Sequence, residues 1–442
     1  MFNEEEEKLE QWKDEIEKTE VTEDQLGLAI KQGFERAKNM PIAKKRPYVR
    51  RGIWSAIVAA ILLLTLVTSI RVSPAFASAV ASIPGLEKFV EFIQDDKGIS
   101  SAIENEYYQK LNISAEKEGV TLTLDGVMAD ELEMVVFYTV NGAEKNEEFQ
   151  VGLPDITDRK GIDVTNGGAA LPGSDFELKG KDVGQTGQVN IRFIEGIKES
   201  DFIFKAKLKS NLRTIDFEIP FTVDKGTKPT KEYLLNEVVL IEGQKVIIKK
   251  IEITPIKIAI HIGVDPANTK KIFGFEDLRL VDEKGETWTS INNGITSSGD
   301  EDDEVKIYYL QSNYFVKPRE LYLQFNKLMA MNKNEAFLLI DTEKEMILQQ
   351  PKDRRFSNLT VNGKLINMDL RSVKGFSRHP FYTIIDATGK EIDMLSGRFS
   401  PESEQKTRVG TELPDEPFVN PIKISLSGYP QWIEGDVKIQ IK

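Results

Sequence analysis

The feature that most constrains this chain is a run of 19 uncharged, mostly apolar residues at positions 52–70. A run of this length is typical of a helix that crosses a membrane, because about 20 helical residues span the hydrocarbon core. Positions 31–51 before it carry eight Lys and Arg against one acidic residue, whereas positions 71–90 carry only two Lys and Arg. Since Lys and Arg beside a span resist translocation, the charges predict a single-pass anchor with a cytoplasmic N-terminus and an extracellular C-terminus.

A cleaved secretory signal peptide is the alternative interpretation of the same run. Ala75, Phe76 and Ala77 follow it with the small-x-small pattern of a cleavage site. The run is longer than the apolar core of most signal peptides and begins only after 51 other residues, so the sequence favours a retained anchor. Regulated proteolysis at Ala75, Phe76 and Ala77 is a separate hypothesis.

Composition limits the possible functions. The net charge is −13, and an acidic chain of this kind argues against direct binding of nucleic acid. Cysteine is absent, which excludes disulfides, thiolate nucleophiles and Cys-ligated zinc. A chain of 442 residues is long enough for several domains.

The N-terminal 51 residues predict two short amphipathic helices, at about 3–18 and 22–38, each opened by a capping box. Two narrow apolar stripes cannot build a core of their own, so we expect them to bind a partner protein, with Trp12 as the main anchor. A helical hairpin that packs on itself or lies on the bilayer is the alternative. The predicted partner-binding residues are Leu9, Trp12, Ile16, Leu26, Ile30 and Phe34.

Beyond the apolar run, the hydrophobic period changes from helical to two. A short helix is predicted at 86–93, where its apolar face could rest on lipid or on the next domain. From about residue 111 apolar residues alternate, as at Val120, Leu122 and Leu124, which predicts antiparallel β-structure. The expected divisions are a cytoplasmic helical segment at 1–51, a membrane helix at 52–70, a juxtamembrane helical segment at 71–110, β-sandwich domains at 111–225 and 232–350, and a β-rich domain or extension at 351–442.

A faint internal repeat supports more than one sandwich. Glu118-Gly119 recurs as Glu242-Gly243, and the turn at 158–161 recurs at 282–285, both displaced by 124 residues. A third Asp-x-x-Gly turn lies at 386–389. Asp at the start of such a turn and Gly at its end suit a hairpin loop, so the sequence predicts repeated β domains.

No motif predicts a catalytic site, a cofactor or a metal centre. The two histidines, His261 and His379, are interpreted as a solvated strand residue and a loop residue. The acidic run at 300–304 has oxygen ligands for calcium, but it lacks the spacing of an EF-hand and is interpreted as a solvated loop. We therefore expect no enzyme, although a carboxylate pair assembled in space, as in a glycoside hydrolase, is an alternative.

Several segments resemble a known family. Residues 71–77, 83–87 and 96–98 resemble the juxtamembrane signature of a Firmicute family whose ectodomain is known only as a domain of unknown function, and residues 275–282 and 308–314 resemble the immunoglobulin-like domain that often accompanies it. Proteins of this family look like single-pass membrane anti-sigma factors. The resemblance implies a mainly β ectodomain of tandem immunoglobulin-like antiparallel sandwiches, one transmembrane helix and a short α-helical cytoplasmic N-terminus.

The same resemblance implies that the two N-terminal helices sequester an extracytoplasmic-function sigma factor until the ectodomain receives an extracellular or cell-wall signal. Many anti-sigma factors carry a zinc-binding His and Cys pattern in this inner domain, and the first 51 residues contain neither residue type. The alternative function is a membrane-anchored cell-surface binding or adhesion module whose N-terminal helices are incidental.

Overall fold

The structure is a computed structural model. It describes residues 80, 82–83, 85–142, 148–164, 169–170, 177–179, 185–193, 196–197, 199–210, 212–224, 228–290, 297–298, 304–374 and 376–442. Within the chain, Val72–Lys442 forms one compact unit by its internal contacts. The two predicted N-terminal helices and the predicted membrane run lie outside the described residues.

The fold class expected from the sequence needs a correction. A membrane-spanning helix requires about 20 residues, and the longest α-helix in the described part of the chain has 8. No helix among the described residues is long and apolar enough to cross a membrane. For the described residues, the fold class is therefore corrected to mainly β with no membrane helix, and the expected β-sandwich architecture is confirmed for the region after residue 108.

A short helical segment, residues 85–104, precedes the strands. It contains a 3-10 helix (Leu86–Phe89) followed by α1 (Val90–Ile93) and α2 (Lys97–Glu104). The Asp96 carboxylate caps α2 by accepting from the backbone N–H groups of Gly98 at 2.8 Å and Ile99 at 3.1 Å. Such a cap satisfies donors that the first helical turn leaves unpaired, which fixes where α2 begins.

The first sandwich has two five-stranded sheets around one apolar core. Sheet 1a has the order β1-β2-β3-β8-β6, and in sheet 1b the strands follow the order β10-β9-β4-β7 with β5 also pairing β9. All pairings are antiparallel. The strands of sandwich 1 are β1 (Gln109–Lys117), β2 (Val120–Ala129), β3 (Glu133–Asn141), β4 (Glu148–Val151), β5 (Asp155–Asp158), β6 (Ala169–Ala170), β7 (Glu177–Lys179), β8 (Gln185–Arg192), β9 (Asp201–Lys209) and β10 (Thr214–Thr222).

Sandwich 2 repeats this plan around its own core. Sheet 2a has the order β11-β12-β13-β18-β17, which matches the order of sheet 1a, and sheet 2b contains β14, β19, β15 and β16. The strands are β11 (Lys231–Ile241), β12 (Gln244–Ile253), β13 (Lys257–Val264), β14 (Lys270–Phe275), β15 (Arg279–Asp282), β16 (Thr287–Thr289), β17 (Ser297–Ser298), β18 (Val305–Gln311) and β19 (Leu321–Asn332).

Sandwich 3 is inserted between β19 and the last strand of the chain. Its two sheets have the orders β21-β20-β28-β24-β25 and β22-β23-β27-β26 and enclose a third core. The strands are β20 (Phe337–Asp341), β21 (Met346–Gln349), β22 (Phe356–Asn362), β23 (Leu365–Arg371), β24 (Phe381–Ile385), β25 (Glu391–Ile392), β26 (Ser396–Ser403), β27 (Lys406–Glu412) and β28 (Ile422–Leu426).

The last strand, β29 (Trp432–Gln440), returns to sandwich 2 and pairs with β19. The sequence places a division after residue 350; in the structure β20 and β21 precede that point within sandwich 3. Alternation of apolar residues identifies both strands, but it carries no information about which neighbour each strand pairs with.

The Asp-x-x-Gly turns have the same geometry in all three sandwiches. One carboxylate oxygen of Asp158 accepts from the N–H groups two and four residues later, both at 2.8 Å. Asp282 and Asp386 make the equivalent pairs at 2.9 and 2.8 Å and at 2.8 and 3.0 Å. The closing glycines adopt φ values of 81°, 83° and 87°, which favour glycine. The repeat expected from the sequence is therefore structural.

Candidate functional site

The helical segment packs on the outer face of sheet 1a. Leu86, Phe89 and Ile93 are at most 1% exposed and join Phe137 of β3 in one apolar cluster. The Phe89 and Phe137 rings meet edge to face with their centroids 5.2 Å apart. Of the two supports that the sequence left open for this helix, the structure therefore shows the first sandwich. The buried members of the cluster are Val80, Leu86, Phe89, Ile93, Ile99, Ala102, Ile103, Met128, Val135, Phe137 and Ile256.

The start of α2 also touches sandwich 2. A side-chain carbon added at Gly98 would lie 2.5 Å from the Ser312 nitrogen and 2.9 Å from the Ile256 oxygen. Only glycine allows this approach of two backbones. Next to it, the Gln311 amide donates to the Asp95 carbonyl at 2.9 Å, and the Lys97 ammonium donates to the Thr287 carbonyl at 3.0 Å. The segment is thus held by sandwich 1 and sandwich 2 together.

Asp130, in the turn between β2 and β3, ties the two sandwiches to each other. One carboxylate oxygen accepts from the Leu132 and Glu133 N–H groups at 2.9 and 3.0 Å, and the other accepts from the Ile256 N–H of sandwich 2 at 2.8 Å. Burial raises the pKa of Asp130 to about 6, and hydrogen bonds from Thr254 and from the Ile256 and Leu132 N–H groups oppose the rise. Burial likewise raises the pKa of the nearby cap Asp96 to about 6.

Beside Asp130 lies a fully buried polar cluster formed by Glu133, Gln188, Asn190 and Lys257, each at most 3% exposed. The Lys257 ammonium is 2.6 Å from Glu133 Oε1. Asn190 donates to the same oxygen at 2.9 Å, and Gln188 donates to Asn190 Oδ1 at 2.9 Å. The cluster crosses the junction, the region where sandwich 1 meets sandwich 2, because Lys257 belongs to sandwich 2 and the others belong to sandwich 1.

Strand pairing explains this arrangement. Asn190 lies opposite Val135 and Gln188 lies opposite Phe137, so both amides share the outer face of sheet 1a with Glu133. Lys257 opens β13, and its position is fixed by Thr254, whose N–H donates to the Lys257 carbonyl at 2.9 Å. The turn at 254–257 therefore places the Lys257 side chain at the end of sheet 1a.

An open cleft of about 430 Å³ lies next to the cluster. His261 Nε2 is 2.5 Å from Glu252 Oε2, and the Lys250 ammonium is 2.9 Å from Glu252 Oε1. The hydrogen bond from His261, followed by that from Lys250, lowers the pKa of Glu252 to about 2. The cleft is lined mainly by sheet 2a on one side and by Leu132, Arg192 and Ile197 of sandwich 1 on the other.

His261 differs from the sequence interpretation. The sequence predicts a solvated side chain, whereas the structure shows one that is 16% exposed and contacts Glu252 on the neighbouring strand β12. His379, expected in a loop, lies outside the strands of sandwich 3, and its Nε2 is 3.0 Å from the Gly410 carbonyl oxygen. Sequence reasoning missed Glu133, Asn190 and Lys257. The sequence signal that points to this cluster is the position of Lys257 inside an otherwise apolar run, Ile256 to Ile260.

The residues predicted to bind a partner and the predicted proteolysis region, Ala75, Phe76 and Ala77, lie outside the described residues. Of the acidic run at 300–304, only Glu304 is described. Within the described part of the chain, no group of three or more His, Asp or Glu residues has a geometry that could hold a metal ion.

The fold and the junction define a tandem β-sandwich protein with a helical segment fixed between its first two sandwiches. Residues 48–142 match a domain of unknown function (DUF4179), and residues 230–348 match a family of unknown function (DUF5643). The first match includes the helical segment and β1 to β3, and the second includes β11 to β19 of sandwich 2.

Comparison with curated proteins gives no match. Among solved structures, the chain is similar to a structure described as the conserved domain protein from Bacillus anthracis. The identity is 15%, over 55% of this chain and 84% of that chain, with a TM-score of 0.36.

Proposed function

We propose that this chain is an anti-sigma factor. Its N-terminal helices bind an extracytoplasmic-function sigma factor, and its β-sandwiches receive the signal that releases the sigma factor. Two matters support the proposal: the resemblance described above, and the match of residues 48–142 to a domain often associated with anti-sigma-factor-like membrane proteins. Placement of the N-terminus inside and the sandwiches outside a cell membrane stays a prediction from the flanking charges.

The observation that carries this proposal is the fixation of the helical segment. Residues 85–104 connect the N-terminal part of the chain with the sandwiches, and they contact both sandwiches through Phe89, Lys97 and Gly98. Any signal that changes the angle between sandwiches 1 and 2 must therefore move or release this segment. A signal can shift the equilibrium only as far as it binds the two arrangements differently. An adhesion module with an incidental N-terminus has no need of such a connection.

The first test is affinity purification of the full-length chain from its native membrane after cross-linking. The wild type is compared with the double variant Trp12→Ala, Phe34→Ala. We expect a sigma factor to co-purify with the wild type and to be lost from the variant, since these two side chains are the largest apolar anchors of the predicted helices. The matched control is Leu212→Ala, Leu395→Ala, which removes two exposed apolar side chains of the sandwiches, 69% and 57% exposed.

Retention of the sigma factor by the control completes the expected pattern. Equal recovery of the same partners with all three chains, or recovery of no sigma factor with the wild type, rejects the proposal. In that case a chain that lacks residues 3–38 but keeps its surface-binding activity identifies the adhesion alternative.

A further inference from the structure

The buried cluster at the junction contains the three groups needed to form an amide bond between two side chains. Lys257 supplies an amine, Asn190 supplies an amide carbonyl carbon, and Glu133 contacts both. Their side chains are 2%, 2% and 0% exposed. Burial of an ion pair costs much of the Coulombic attraction that it gains, so such a group is unusual unless every partner is satisfied.

The hydrogen bonds of this cluster are incomplete. Although the Lys257 ammonium is 2.6 Å from Glu133 Oε1, the contact lacks the angles of a hydrogen bond. Among the described residues, neither Lys257 Nζ nor Glu133 Oε2 has a hydrogen-bond partner. An unsatisfied buried polar atom has lost its hydrogen bonds to water without replacing them, which destabilises the folded state. As an ion pair, the cluster is therefore poorly stabilised, and a neutral covalent product would remove the buried ammonium.

The nucleophile and its target are close together. Lys257 Nζ and Asn190 Nδ2 both lie within 3 Å of Glu133 Oε1, at 2.6 and 2.9 Å. Because both nitrogens contact one oxygen, they lie at most about 5.5 Å apart, and attack on the Asn190 carbonyl carbon requires the Lys257 side chain to rotate toward it. The Asn190 carbonyl oxygen accepts from Gln188 Nε2 at 2.9 Å, which polarises the carbonyl and stabilises negative charge on that oxygen.

From this geometry we propose that Lys257 and Asn190 form an intramolecular isopeptide bond, with Glu133 as the catalytic acid and base. The bond would join β13 of sandwich 2 to β8 of sandwich 1. The inference stands apart from the proposed anti-sigma function, because it depends only on the chemistry of the junction.

The reaction begins when a proton passes from the Lys257 ammonium to the Glu133 carboxylate, leaving a neutral amine and a carboxylic acid. The amine nitrogen attacks the Asn190 side-chain carbon, and the new C–N bond forms. A second proton passes through Glu133 from the lysine nitrogen to the departing Nδ2. The old C–N bond then breaks and ammonia leaves, while the remaining proton stays on Glu133 or departs with ammonia as ammonium.

No oxidant, metal or further reactant is needed. The site is fully buried, which protects the intermediate from hydrolysis. The Tyr309 ring lies over the lysine with its centroid 5.2 Å from Nζ, and it helps to close the site. Effective concentrations of groups held in this way are high, so a slow, single-turnover reaction can go to completion during folding.

The decisive measurement is the mass of the intact full-length protein. We expect the wild type to be lighter than its sequence mass by one molecule of ammonia. After trypsin digestion, the expected product is a branched peptide that contains Asn190 and Lys257, with no cleavage after Lys257. The full sequence mass together with normal cleavage after Lys257 would overturn the proposal.

Variants then assign the roles. Lys257→Met and Glu133→Gln should both retain the full sequence mass, whereas Lys245→Met, which removes a lysine of β12 that is 54% exposed, should still lose ammonia. Asn190→Asp is the sharpest variant, since it should react with loss of water and reach the same final mass as the wild-type product. Loss of ammonia in Lys257→Met would place the bond elsewhere and contradict the assignment.

A second measurement does not depend on the folding of any variant. The bond closes a covalent ring from residue 190 to residue 257, which contains the linker between the two sandwiches at 223–230. Limited proteolysis within this linker should therefore leave the two fragments of the wild type together on a denaturing gel. Separation of the fragments would show that the bond is absent.

Discussion

Sandwiches 1 and 2 share one plan but differ on one face. Sheets 1a and 2a have corresponding strand orders, and residues displaced by 124 positions fall at corresponding places. On the inner faces, Leu122 corresponds to Val246 and Tyr138 corresponds to Ile262, and all four are at most 2% exposed. On the outer faces, Phe137 is covered by the helical segment, whereas its counterpart His261 lines an open cleft.

The comparison separates the inner sheet faces, which build each sandwich, from the outer faces, which contact other parts of the chain. Apolar inner faces are enough to build each sandwich, since two sheets need only one buried side each. The outer face then decides what each sandwich contacts: sheet 1a carries Met128, Val135 and Phe137 for a helix, and sheet 2a carries Glu252, Ala259 and His261. A substitution on the outer face should therefore have unequal consequences in the two sandwiches, and one in the shared turns should have equal consequences.

The largest difference is expected between Phe137→Ala and His261→Ala. Phe137 is fully buried and packs against Phe89 and Tyr108, so its truncation should lower the free energy of unfolding by about 3–5 kcal/mol. His261 is truncated at the edge of a cleft, where the loss should be below about 1 kcal/mol. Urea unfolding of the full-length chain measures both. Losses of similar size would show that the helical segment does not stabilise sandwich 1.

The next effect is expected at the contact between α2 and sandwich 2. Gly98→Ala places a methyl group 2.5 Å from the Ser312 nitrogen, so the backbones must separate at a cost of about 1–3 kcal/mol. Alanine normally stabilises a helix relative to glycine, which makes a loss of stability diagnostic of the close approach. Ser101→Ala in the same helix is the control and should change stability by less than about 0.5 kcal/mol. A stabilised Gly98→Ala variant would show that α2 is not pressed against sandwich 2.

The shared turns test the similarity of the two sandwiches. Asp158→Ala and Asp282→Ala each remove the acceptor for two backbone N–H groups, so each should cost about 1–2 kcal/mol. The two losses should agree within about 0.5 kcal/mol, because the hydrogen bonds have nearly equal lengths. Replacement by Asn keeps an acceptor oxygen and should recover most of the loss. Strongly unequal losses would show that the two turns share a geometry but contribute differently to the free energy of unfolding.

Sequence patterns predicted the features that depend on nearby residues. Alternation at Val120 to Leu124 predicted β2, and Asp158 and Asp282 marked the turns that follow β5 and β15. These patterns have short range, since a strand's alternation and a turn's hydrogen bonds involve residues within about ten positions. The spacing of Leu86, Phe89 and Ile93 likewise gave the apolar face of the helical segment.

Features that depend on distant partners could not be predicted in this way. Lys257 is buried because Glu133, 124 residues earlier, meets it across the junction. The strand β29 returns to β19 although sandwich 3 intervenes, and its alternation at Val437 and Ile439 says only that one face is apolar. Burial of the outer face of sheet 1a could not be predicted without knowing that the helical segment covers it. Local patterns carry none of this information, because they do not specify which surfaces meet.

The smallest expected effect distinguishes Glu252 from its counterpart Met128, which does not titrate. Hydrogen bonds from His261 and Lys250 lower the pKa of Glu252 from 4.5 to about 2. A carboxyl group with a depressed pKa contributes stability above its unfolded pKa and loses that contribution as pH falls through the folded value. Because Glu252 is partly exposed to solvent, the contribution should be only about 1 kcal/mol. We therefore expect the wild type to exceed Glu252→Gln in free energy of unfolding at pH 7, and this difference to shrink between pH 4.5 and pH 2.

Thr289→Ala, a non-ionisable surface change in the same sandwich, should differ from the wild type by the same amount at every pH. A Glu252→Gln difference that is equally independent of pH would mean that Glu252 is not held by His261 and Lys250 in solution, and that the cleft of sandwich 2 is more open than its pairing indicates.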